Sequence, residues 1–293
     1  MKPHRHPDWL IPQWPAPAHV RAVFTTRAGG CSPAPWDSLN LGDHVGDAPA
    51  RVANNRQTLA LATGCQPFFV QQVHGQHVVV VEPASAGQSG QVADAAVTRQ
   101  RGLGCTIMVA DCLPVLFAHL DAPVVAAAHA GWRGLAGVGG EPGLAQNAQP
   151  GVQPQASAGV LAAVFSRFSE LAGQSPRQAA GRTIAWLGPC IGPAAFEVGA
   201  EVKAVFEAWH PDAGSCFVAR PGQPPAISPP KYLADLAGLA RLQLHALGIT
   251  DVYGNDSSAG WCTVSKASRF FSHRRDAGGG RSTGRMAACI WQV

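Results

Sequence analysis

The sequence predicts an α/β fold in which helices are layered on β-sheets. Short runs of β-branched and aromatic residues alternate with segments whose apolar residues recur at helical spacing. The sequence shows neither heptads nor internal repeats, which would indicate a coiled coil or a solenoid. With 46% hydrophobic and 14% charged residues, the 293-residue chain can bury a large core. Its length fits either one large α/β domain or two smaller domains.

The predicted elements alternate along the chain. Strands, which are short apolar runs bounded by Gly, Pro or Asp, are predicted at residues 20–26, 68–73, 78–82, 106–110, 114–119, 124–129, 183–187, 249–253, 269–273 and 286–292. A helix over residues 51–62 is predicted to begin near Asp47 and Pro49 and to end at Gly64. Further helices are indicated by apolar residues at positions 160, 164, 168 and 171, at 198, 202, 205, 206 and 209, and at 233, 236, 240, 244 and 247, with Gly248 as a C-cap.

Residues 137–159 interrupt this alternation. The segment consists mainly of Gly, Ala, Gln and Pro with a single charge at Glu141, a composition typical of a flexible insertion. Long loops without secondary structure are usually functional or disordered. Two interpretations stay open: a lid over the site that the preceding motif forms, or an idle surface insertion.

Charge and cysteine content bear on the class of protein. The formal net charge of +4 is modest. The eight cysteines form no Cys-x-x-Cys pair, so they resemble neither a disulfide framework nor a zinc ribbon. No apolar window reaches the length of a membrane span, and the N-terminus through Trp14 carries charges and prolines instead of the apolar core of a signal peptide. We therefore expect a cytoplasmic protein without membrane contact, and the sequence makes no prediction of the oligomeric state.

His74, Cys112 and His129 are the residues whose context points most clearly to chemistry. Each lies at the edge of an apolar, strand-like run and is followed by a turn-forming residue, which aims its side chain off a rigid end. Nearby glycines let a substrate or a metal approach the backbone. Two imidazoles and one thiolate form a three-ligand metal site with an open fourth position, which is typical of catalytic zinc.

The same atoms permit a chemistry that needs no metal. Cys112 can act as a nucleophile activated by His129, with Asp111 or Gln72 orienting the imidazole, as in thiol hydrolases. A chelator should inactivate a metal site, whereas iodoacetamide should inactivate a thiolate nucleophile. The residues leave both interpretations open.

An arginine cluster near the C-terminus indicates another class of function. It consists of Arg269, Arg274, Arg275, Arg281 and Arg285, with Gly-Gly-Gly between them. Clustered arginines neutralise the phosphates of a nucleic acid. Phe270 and Phe271 are nevertheless more typical of a strand core than of a base-stacking platform, so we expect no nucleic-acid partner.

Seven short motifs occur in order along the chain. They are Phe-Thr-Thr-Arg-Ala-Gly-Gly (24–30), Ser-Leu-Asn-Leu-Gly (38–42), Gln-Val-His-Gly (72–75), Ala-Asp-Cys-Leu-Pro-Val (110–115), His-Ala-Gly-Trp-Arg-Gly (129–134), Gly-Pro-Cys-Ile-Gly-Pro (188–193) and Phe-Phe-Ser-His-Arg-Arg (270–275). Together they resemble the YfiH-type proteins, first labelled multicopper polyphenol oxidases or laccases and later assigned as purine nucleoside phosphorylases with adenosine deaminase activity. A related bacterial branch is described as a peptidoglycan editing factor. The resemblance extends over residues 24–290, nearly the whole chain.

The resemblance implies a fold and a set of site residues. The fold would be a single domain over residues 1–293 with α/β/β/α layering of mixed sheets. His74, Cys112 and His129 match the metal ligands of the family. The residues that it implies for binding substrate or phosphate are Asn40, Arg56, Arg133 and Arg274. The candidate proton carriers are Asp111, which we count among the catalytic residues, His77 and His273, the last of which stands where the family usually has Tyr.

The resemblance also implies the activity, a zinc-dependent purine nucleoside phosphorylase acting on adenosine, inosine and methylthioadenosine, with adenosine deaminase activity. The expected partners are therefore small molecules, a purine nucleoside and phosphate. Laccase chemistry needs several His-x-His pairs to hold its copper ions, and this chain has only His4-Arg5-His6. A site of one thiolate and two imidazoles suits zinc and can also capture copper, because copper binds more tightly in the Irving–Williams order. Copper-dependent polyphenol oxidation, a metal-independent cysteine hydrolase and the editing of peptidoglycan precursors stay open as alternatives.

Overall fold

Two β-sheets lie face to face, and helices cover their outer sides. The computed structural model describes residues 6–85, 89–139, 159–222, 230–278 and 282–293. The strands are β1 (Val20–Phe24), β2 (Gln66–Phe69), β3 (Val78–Val80), β4 (Ala95–Thr98), β5 (Leu103–Val109), β6 (Leu113–His119), β7 (Val125–Ala130), β8 (Thr183–Leu187), β9 (Glu197–Gly199), β10 (Phe217–Ala219), β11 (Lys231–Ala234), β12 (Val252–Gly254) and β13 (Met286–Gln292). The helices are α1 (Pro49–Thr63), α2 (Trp132–Ala136), α3 (Val160–Leu171), α4 (Pro176–Ala180), α5 (Ala200–Trp209), α6 (Leu236–Ala246) and α7 (His273–Asp276), with 3-10 turns at Pro83–Ser85 and Pro211–Cys216. No helix in the described part of the chain has the length and apolar character that crossing a bilayer requires.

Both main sheets combine parallel and antiparallel strands. The larger sheet has six strands in the order β12-β8-β6-β7-β4-β3, and the smaller has four in the order β1-β13-β5-β2. In the smaller sheet β5 pairs antiparallel with β13 and parallel with β2, and in the larger sheet β6 pairs antiparallel with β7 while β3 pairs parallel with β4. A third, small sheet has the order β10-β11-β9. This mixed, layered arrangement confirms the predicted α/β fold class.

The two main sheets divide the apolar interior into three layers. On β6, Leu116 and Ala118 face the layer between the sheets, while Val115 and Phe117 face the layer that α3 and α6 cover. On the far side of the smaller sheet, α1 contributes Leu59 to the third layer. Side chains alternate between the two faces of a strand, so a strand buried on both faces joins two layers. The resulting order is α/β/β/α.

Several predicted elements agree with the structure. The strands predicted at residues 183–187 and 286–292 are β8 and β13. The helix predicted over residues 51–62 is α1, which Gly64 ends in the left-handed region at φ 69. Glycine adopts this conformation without steric cost, because it has no Cβ.

The strand predicted at residues 269–273 is wrong. Phe270 and Phe271 are buried in the layer between the sheets, but a loop carries them there. Ser272 then begins α7 by accepting the backbone N–H of Arg275. The apolar pair indicated burial correctly, and burial alone does not specify a hydrogen-bonded strand.

The helix predicted from position 233 begins later than expected. Asp235 caps α6 by accepting the backbone N–H of Gly238, and Leu233 belongs to β11. A strand residue and a helix residue can fall by chance on the same helical spacing, whereas a capping carboxylate fixes where the helix begins.

Strand β4, whose four residues are all buried, has no counterpart among the predicted strands. Its sequence, Ala-Ala-Val-Thr, lacks the run of aromatic and β-branched residues that predicts a strand. Strand β4 pairs with β7 in the larger sheet, with Ala95 opposite Ala128. This pairing places the residue before β4, Asp94, beside His129.

The predicted insertion at residues 137–159 falls mainly on residues 140–158, which lie outside the described residues. Gly139 and Gly159 at its two ends are described. The single-domain organisation over residues 1–293 stays a prediction.

Candidate active site

Three side chains from distant parts of the sequence converge on one point. His74 lies in the loop between β2 and β3, Cys112 at the crossing from β5 of the smaller sheet to β6 of the larger sheet, and His129 on β7. Their ligand atoms all lie within 4.8 Å of one another, and Cys112 Sγ is 3.8 Å from His74 Nε2. Donor atoms around a four-coordinate zinc ion are roughly 3.5 Å apart, so this spacing fits one shared ion. Within the described ranges, this is the one cluster of three or more His, Cys, Asp or Glu side chains with such spacing.

Strand pairing and two unusual turns produce this convergence. Pro114 of β6 pairs with His129 of β7, which brings Cys112, two residues earlier, towards the imidazole. His74 and Asp111 have positive φ angles of 60° and 93°. Residues other than glycine enter this left-handed region at an energetic cost, and such residues concentrate at functional sites. The strained turn at Asp111 directly precedes Cys112, and the second strained turn contains His74 itself.

Asp94 joins His129 to the loop that carries His74. Its carboxylate is fully buried. Oδ1 accepts the Nδ1–H of His129 at 2.8 Å and the backbone N–H of His74 at 2.9 Å. Oδ2 accepts the backbone N–H groups of Gly75 at 2.6 Å and Val73 at 3.2 Å. Because Nδ1 of His129 is engaged, its Nε2 is left for a metal, as in carboxylate–histidine–zinc sites.

The expectation that Asp111 or Gln72 orients the imidazole is therefore wrong. Gln72 is bonded to the backbone of Met108 in both directions, since its Nε2 donates to the carbonyl at 2.7 Å and its Oε1 accepts the N–H at 2.8 Å. A side-chain amide held in this way is not free to bind a histidine.

Asp111 instead fastens the crossing between the two sheets. Its Oδ1 accepts the hydroxyl of Thr263, and its Oδ2 accepts the hydroxyl of Ser272 at 3.0 Å and the backbone N–H of Arg274 at 2.6 Å. These three donors commit the carboxylate to holding the turn before Cys112. The geometry therefore favours a positioning role for Asp111 over proton transfer.

Gly131 leaves the space in which the three side chains meet. A Cβ at this position would lie 2.9 Å from His74 Cδ2, 3.0 Å from Cys112 Sγ and 3.7 Å from His129 Cε1. The backbone of Gly131 has φ −65° and ψ 156°, which any residue adopts. Side-chain space, and not backbone conformation, therefore requires glycine here.

When no metal is bound, Cys112 and His129 favour a thiolate–imidazolium pair. Burial raises the pKa of the Cys112 thiol, but the charge of His129 and hydrogen bonds from His129 and His74 outweigh burial and lower this pKa to about 6. Burial lowers the pKa of the His129 imidazole, but the thiolate of Cys112 and the carboxylate of Asp94 raise it to about 9. The cysteine is thus deprotonated near neutral pH, which both a metal ligand and a nucleophile require.

The three side chains lie on the wall of a cavity of about 360 Å³. This volume is in the range of small-molecule sites. Met108, Trp132 and Phe196 supply apolar and aromatic surface. The basic residues of the wall are His44, Arg133, His273, Arg274 and Arg285. This combination suits a flat, polar molecule together with an anionic group.

The structure brings three of the four predicted substrate residues to this region. Arg133 and Arg274 line the cavity itself. Arg56 lines an adjoining cavity of about 400 Å³, which shares His44 and Met108 with the first. Of the two histidines considered as proton carriers, His273 lines the first cavity. His77 does not line it.

Asn40 lies behind the cavity wall. Its side chain is fully buried, and Oδ1 accepts the backbone N–H groups of Gly42 and Arg285, each at 2.9 Å. Asn40 is thus placed to act through Arg285, which lines the cavity, and not by touching a ligand.

Asp94 and Arg285 belong to the site although neither stands in a motif that predicts it. Asp94 is a single acidic residue between Ala93 and Ala95 in an apolar stretch, and this isolation is the available signal. Arg285 was grouped with the arginine cluster that indicated nucleic-acid binding. The structure separates that cluster, because Arg275 uses its guanidinium to bind Asp276 and nearby carbonyls while Arg285 lines the cavity.

The whole chain resembles known proteins. Residues 21–293 match the family described as multi-copper polyphenol oxidoreductase laccase. The purine nucleoside phosphorylase of Pseudomonas aeruginosa is 43% identical over 283 residues, which are 97% of this chain and 98% of the relative. The purine nucleoside phosphorylase YfiH of Escherichia coli is 40% identical over 288 residues, with 97% and 98% of the two chains covered. The chain belongs to the YfiH family.

Structural comparison agrees with this assignment and confirms the resemblance that the seven motifs indicated. The crystal structure of a Neisseria meningitidis protein superposes with a TM-score of 0.75 at 40% identity and covers 97% of this chain and 99% of its own. The names within the YfiH family differ, since the relatives are called purine nucleoside phosphorylases and the family description refers to copper oxidases. Both names denote enzymes. A multicopper oxidase needs several copper sites, and the described part of this YfiH protein offers the single cluster of His74, Cys112 and His129.

Proposed function

We propose that this protein is a zinc-dependent purine nucleoside phosphorylase that also deaminates adenosine. The observation that carries the proposal is the meeting of His74, Cys112 and His129 on the wall of a cavity sized for a small molecule. The names of the relatives from Pseudomonas aeruginosa and Escherichia coli support it. The substrates are then adenosine, inosine and methylthioadenosine, with phosphate as the co-substrate.

Zinc fits the donor atoms that this chain provides. Cys112 offers a thiolate, His74 and His129 offer imidazoles, and the carboxylate of Asp94 fixes the ring of His129 from behind. Three protein ligands leave one position open, which distinguishes catalytic from structural zinc sites. A zinc ion held there would supply Lewis acidity next to the substrate.

Phosphorolysis exchanges one bond of the ribose for another. An oxygen of phosphate forms a bond to C1′ while the bond from C1′ to purine N9 breaks, and the bonding electrons leave with the purine. The purine takes up one proton, so the products are the free base and ribose 1-phosphate. Trp132 and Phe196 supply aromatic surface for the base, and His273 on the same wall is the candidate donor of the proton.

Deamination uses water in place of phosphate. The oxygen of water becomes bonded to C6 of adenine while the bond from C6 to the exocyclic nitrogen breaks. One proton of the water completes the leaving ammonia and the other ends on N1 of the purine, so adenosine becomes inosine. Both reactions then use one purine position in the cavity and differ in the nucleophile. Of the two candidate proton carriers His273 and His77, we favour His273, because it lines the cavity and His77 does not.

A metal-independent thiol hydrolase is the second candidate function. The observation that favours it is the spatial arrangement of Cys112, His129 and Asp94. The carboxylate of Asp94 orients the imidazole of His129, which lies beside a thiolate whose pKa is lowered to about 6. The second imidazole, His74, with its Nε2 3.8 Å from the sulfur, has no task in such a triad and favours the metal site.

Metal analysis followed by product analysis tests the proposal. The zinc-loaded protein should convert adenosine with phosphate to adenine and ribose 1-phosphate, and adenosine alone to inosine. Cys112→Ala should lose the metal and both activities, because the thiolate is a required ligand. Cys31→Ala is the matched control, since Cys31 is exposed and lies outside the cavity wall.

Three outcomes would contradict the proposal. Stoichiometric zinc in Cys112→Ala would exclude Cys112 as a required ligand. An activity that resists chelators and is lost with iodoacetamide would instead support the thiol hydrolase. The copper-loaded protein could instead oxidise a diphenol while the zinc-loaded protein leaves adenosine unchanged. This result would support the oxidase that the family description names.

A further inference from the structure

Arg285 is a cation of the cavity wall that forms no ion pair among the described residues, although the charges of Cys112 and Asp111 act on it. It lies directly before β13, and its side chain is half-buried. Its Nη1 donates to the carbonyl oxygens of Thr283 at 3.0 Å and Gly284 at 3.2 Å. Both acceptors are uncharged, and no ion pair among the described residues includes Arg285. Five N–H donors belong to a guanidinium, so most of them are left to face a ligand.

The other arginines of the region are engaged or exposed. Arg56 pairs with Asp43 at 3.1 Å, and its guanidinium carbon lies 4.2 Å from the centre of the Phe69 ring. Arg133 and Arg274 are exposed, so water screens their charges. A half-buried charge is screened less and binds an anion more strongly. Among the arginines that line the cavity with Cys112, Arg285 is therefore the one whose charge water screens least.

The fold holds Arg285 in place from behind. Its backbone N–H is bonded to Oδ1 of the fully buried Asn40, whose Nδ2 donates to Asp47 at 2.9 Å. Gly42 makes room for the side chain, because a Cβ there would lie 2.7 Å from Cγ of Arg285. A guanidinium that is fixed before binding loses little conformational freedom when a ligand arrives.

The surroundings of Arg285 also suit a ligand with negative charge. Arg285 lines the same cavity as Cys112. We call His74, Cys112 and His129 the trio. A divalent ion bound to this thiolate and two neutral imidazoles leaves a net positive charge at the trio, so both walls attract an anion. Burial and the charge of Arg285 lower the pKa of His44 against the opposing effect of Asp43, which favours a neutral imidazole on this wall of the cavity.

We propose that Arg285 binds the phosphate co-substrate, with its guanidinium fork on two phosphate oxygens, and that Asn40 is its positioning residue. This inference rests on the proposed phosphorolysis, in which an anchored phosphate supplies the attacking oxygen. Arg is suited to the task because its planar fork matches two oxygens of one phosphate group. The phosphate would then lie between Arg285 and the trio, next to the aromatic surface that receives the nucleoside.

Binding of inorganic phosphate to the zinc-loaded protein tests the proposal without turnover. Calorimetric titration at constant ionic strength should show that Arg285→Gln raises the Kd for phosphate about tenfold or more, with zinc content unchanged. Arg285→Lys keeps the charge without the fork and should give an intermediate Kd. Arg167→Gln, which removes an exposed charge of α3, is the matched control and should bind phosphate as the wild type does. Phosphate affinity equal to that of the wild type in Arg285→Gln would overturn the proposal.

A second measurement uses the wild-type protein, so a folding defect of a variant cannot decide the result. Phenylglyoxal modifies accessible arginines, and phosphate should slow the modification of Arg285 while leaving that of Arg167 unchanged, as read by peptide mass spectrometry. Equal rates for Arg285 with and without phosphate would contradict the proposal.

Kinetics then separate this inference from the proposed function. If phosphorolysis occurs, Arg285→Gln should raise the KM for phosphate about tenfold or more while the KM for adenosine changes by about twofold or less. An unchanged KM for phosphate would overturn the role of Arg285 and leave the proposed function intact. Phosphate binding that depends on Arg285 in a protein without phosphorolysis would support the anion site and overturn the proposed function.

Discussion

The carboxylate of Asp94 and the imidazole of His129 lie 2.8 Å apart, and the same carboxylate holds the loop of His74. One buried acidic side chain thus fixes the ring of one candidate ligand and the backbone of another. A neighbouring carboxylate also makes the imidazole of a zinc-bound histidine more basic and restricts its orientation. The geometry of the site therefore depends on Asp94, which itself is not within reach of a substrate.

Replacing Asp94 with Asn should weaken the metal site. An amide has one acceptor oxygen, so its NH2 group would face either the imidazole of His129 or the loop N–H groups of Val73 and Gly75. Zinc affinity should fall about tenfold to hundredfold, as for other carboxylates behind a zinc-bound histidine. Competition with a chromophoric chelator measures the affinity. The surface variant Asp121→Asn serves as control, and equal zinc affinity in Asp94→Asn and wild type would contradict the role given to Asp94.

Adding one methyl group at Gly131 should disturb the same site by a steric route. The Cβ of Gly131→Ala would lie 2.9 Å from His74 and 3.0 Å from Cys112, so one of these side chains must move. Zinc content and activity should fall while the melting temperature of the zinc-free protein changes little, since the backbone conformation at Gly131 suits alanine. Gly181→Ala, where a Cβ meets no neighbour within 4 Å, is the control. Full zinc occupancy in Gly131→Ala would show that the trio is less tightly packed than the structure indicates.

Chelation should uncover a reactive thiolate at Cys112. The lowered pKa of about 6 means that the thiolate predominates above this pH and is lost as the pH falls through it. The rate of alkylation by iodoacetamide in the zinc-free protein should therefore rise with a midpoint at about pH 6, whereas a simple thiol has its midpoint at about pH 8.5. Zinc should protect Cys112, and peptide mapping distinguishes it from the exposed Cys31. A midpoint like that of a simple thiol would refute the thiolate–imidazolium pair.

Removing the amide of Asn40 should impair phosphate use more than nucleoside use. Asn40→Ala leaves the backbone N–H of Arg285 and the carboxylate of Asp47 without this partner, which should lower the free energy of unfolding by about 1–3 kcal/mol. The KM for phosphate should rise while the KM for adenosine changes little, because Asn40 acts through Arg285. Asn54→Ala on the exposed side of α1 is the control. Equal changes in both KM values would indicate a general loss of structure.

Local sequence patterns were enough to predict the fold class and the trio. Apolar runs with periods of two and 3.6 residues predicted most strands and helices, because each period reflects local backbone geometry. The clustering of His74, Cys112 and His129 could also be predicted from the sequence, because each stands in one of the seven short motifs that carry the resemblance. The strand expected at residues 269–273 failed because Phe270 and Phe271 are buried without the ladder of a strand.

The polar groups that hold the trio in place come from tertiary contacts that local sequence patterns do not contain. Asp94 and His129 are 35 residues apart and meet because β4, which the pattern did not indicate, pairs with β7. Asn40 and Arg285 are 245 residues apart in the sequence and are joined by a hydrogen bond. Asn40, which was predicted to contact the substrate or phosphate, instead holds the backbone of Arg285 from behind the cavity wall. A hydrogen bond between distant segments depends on sheet order and register. Sheet order and register are set by the packing of the whole core, so the local sequence around either residue contains no periodic pattern that predicts the bond.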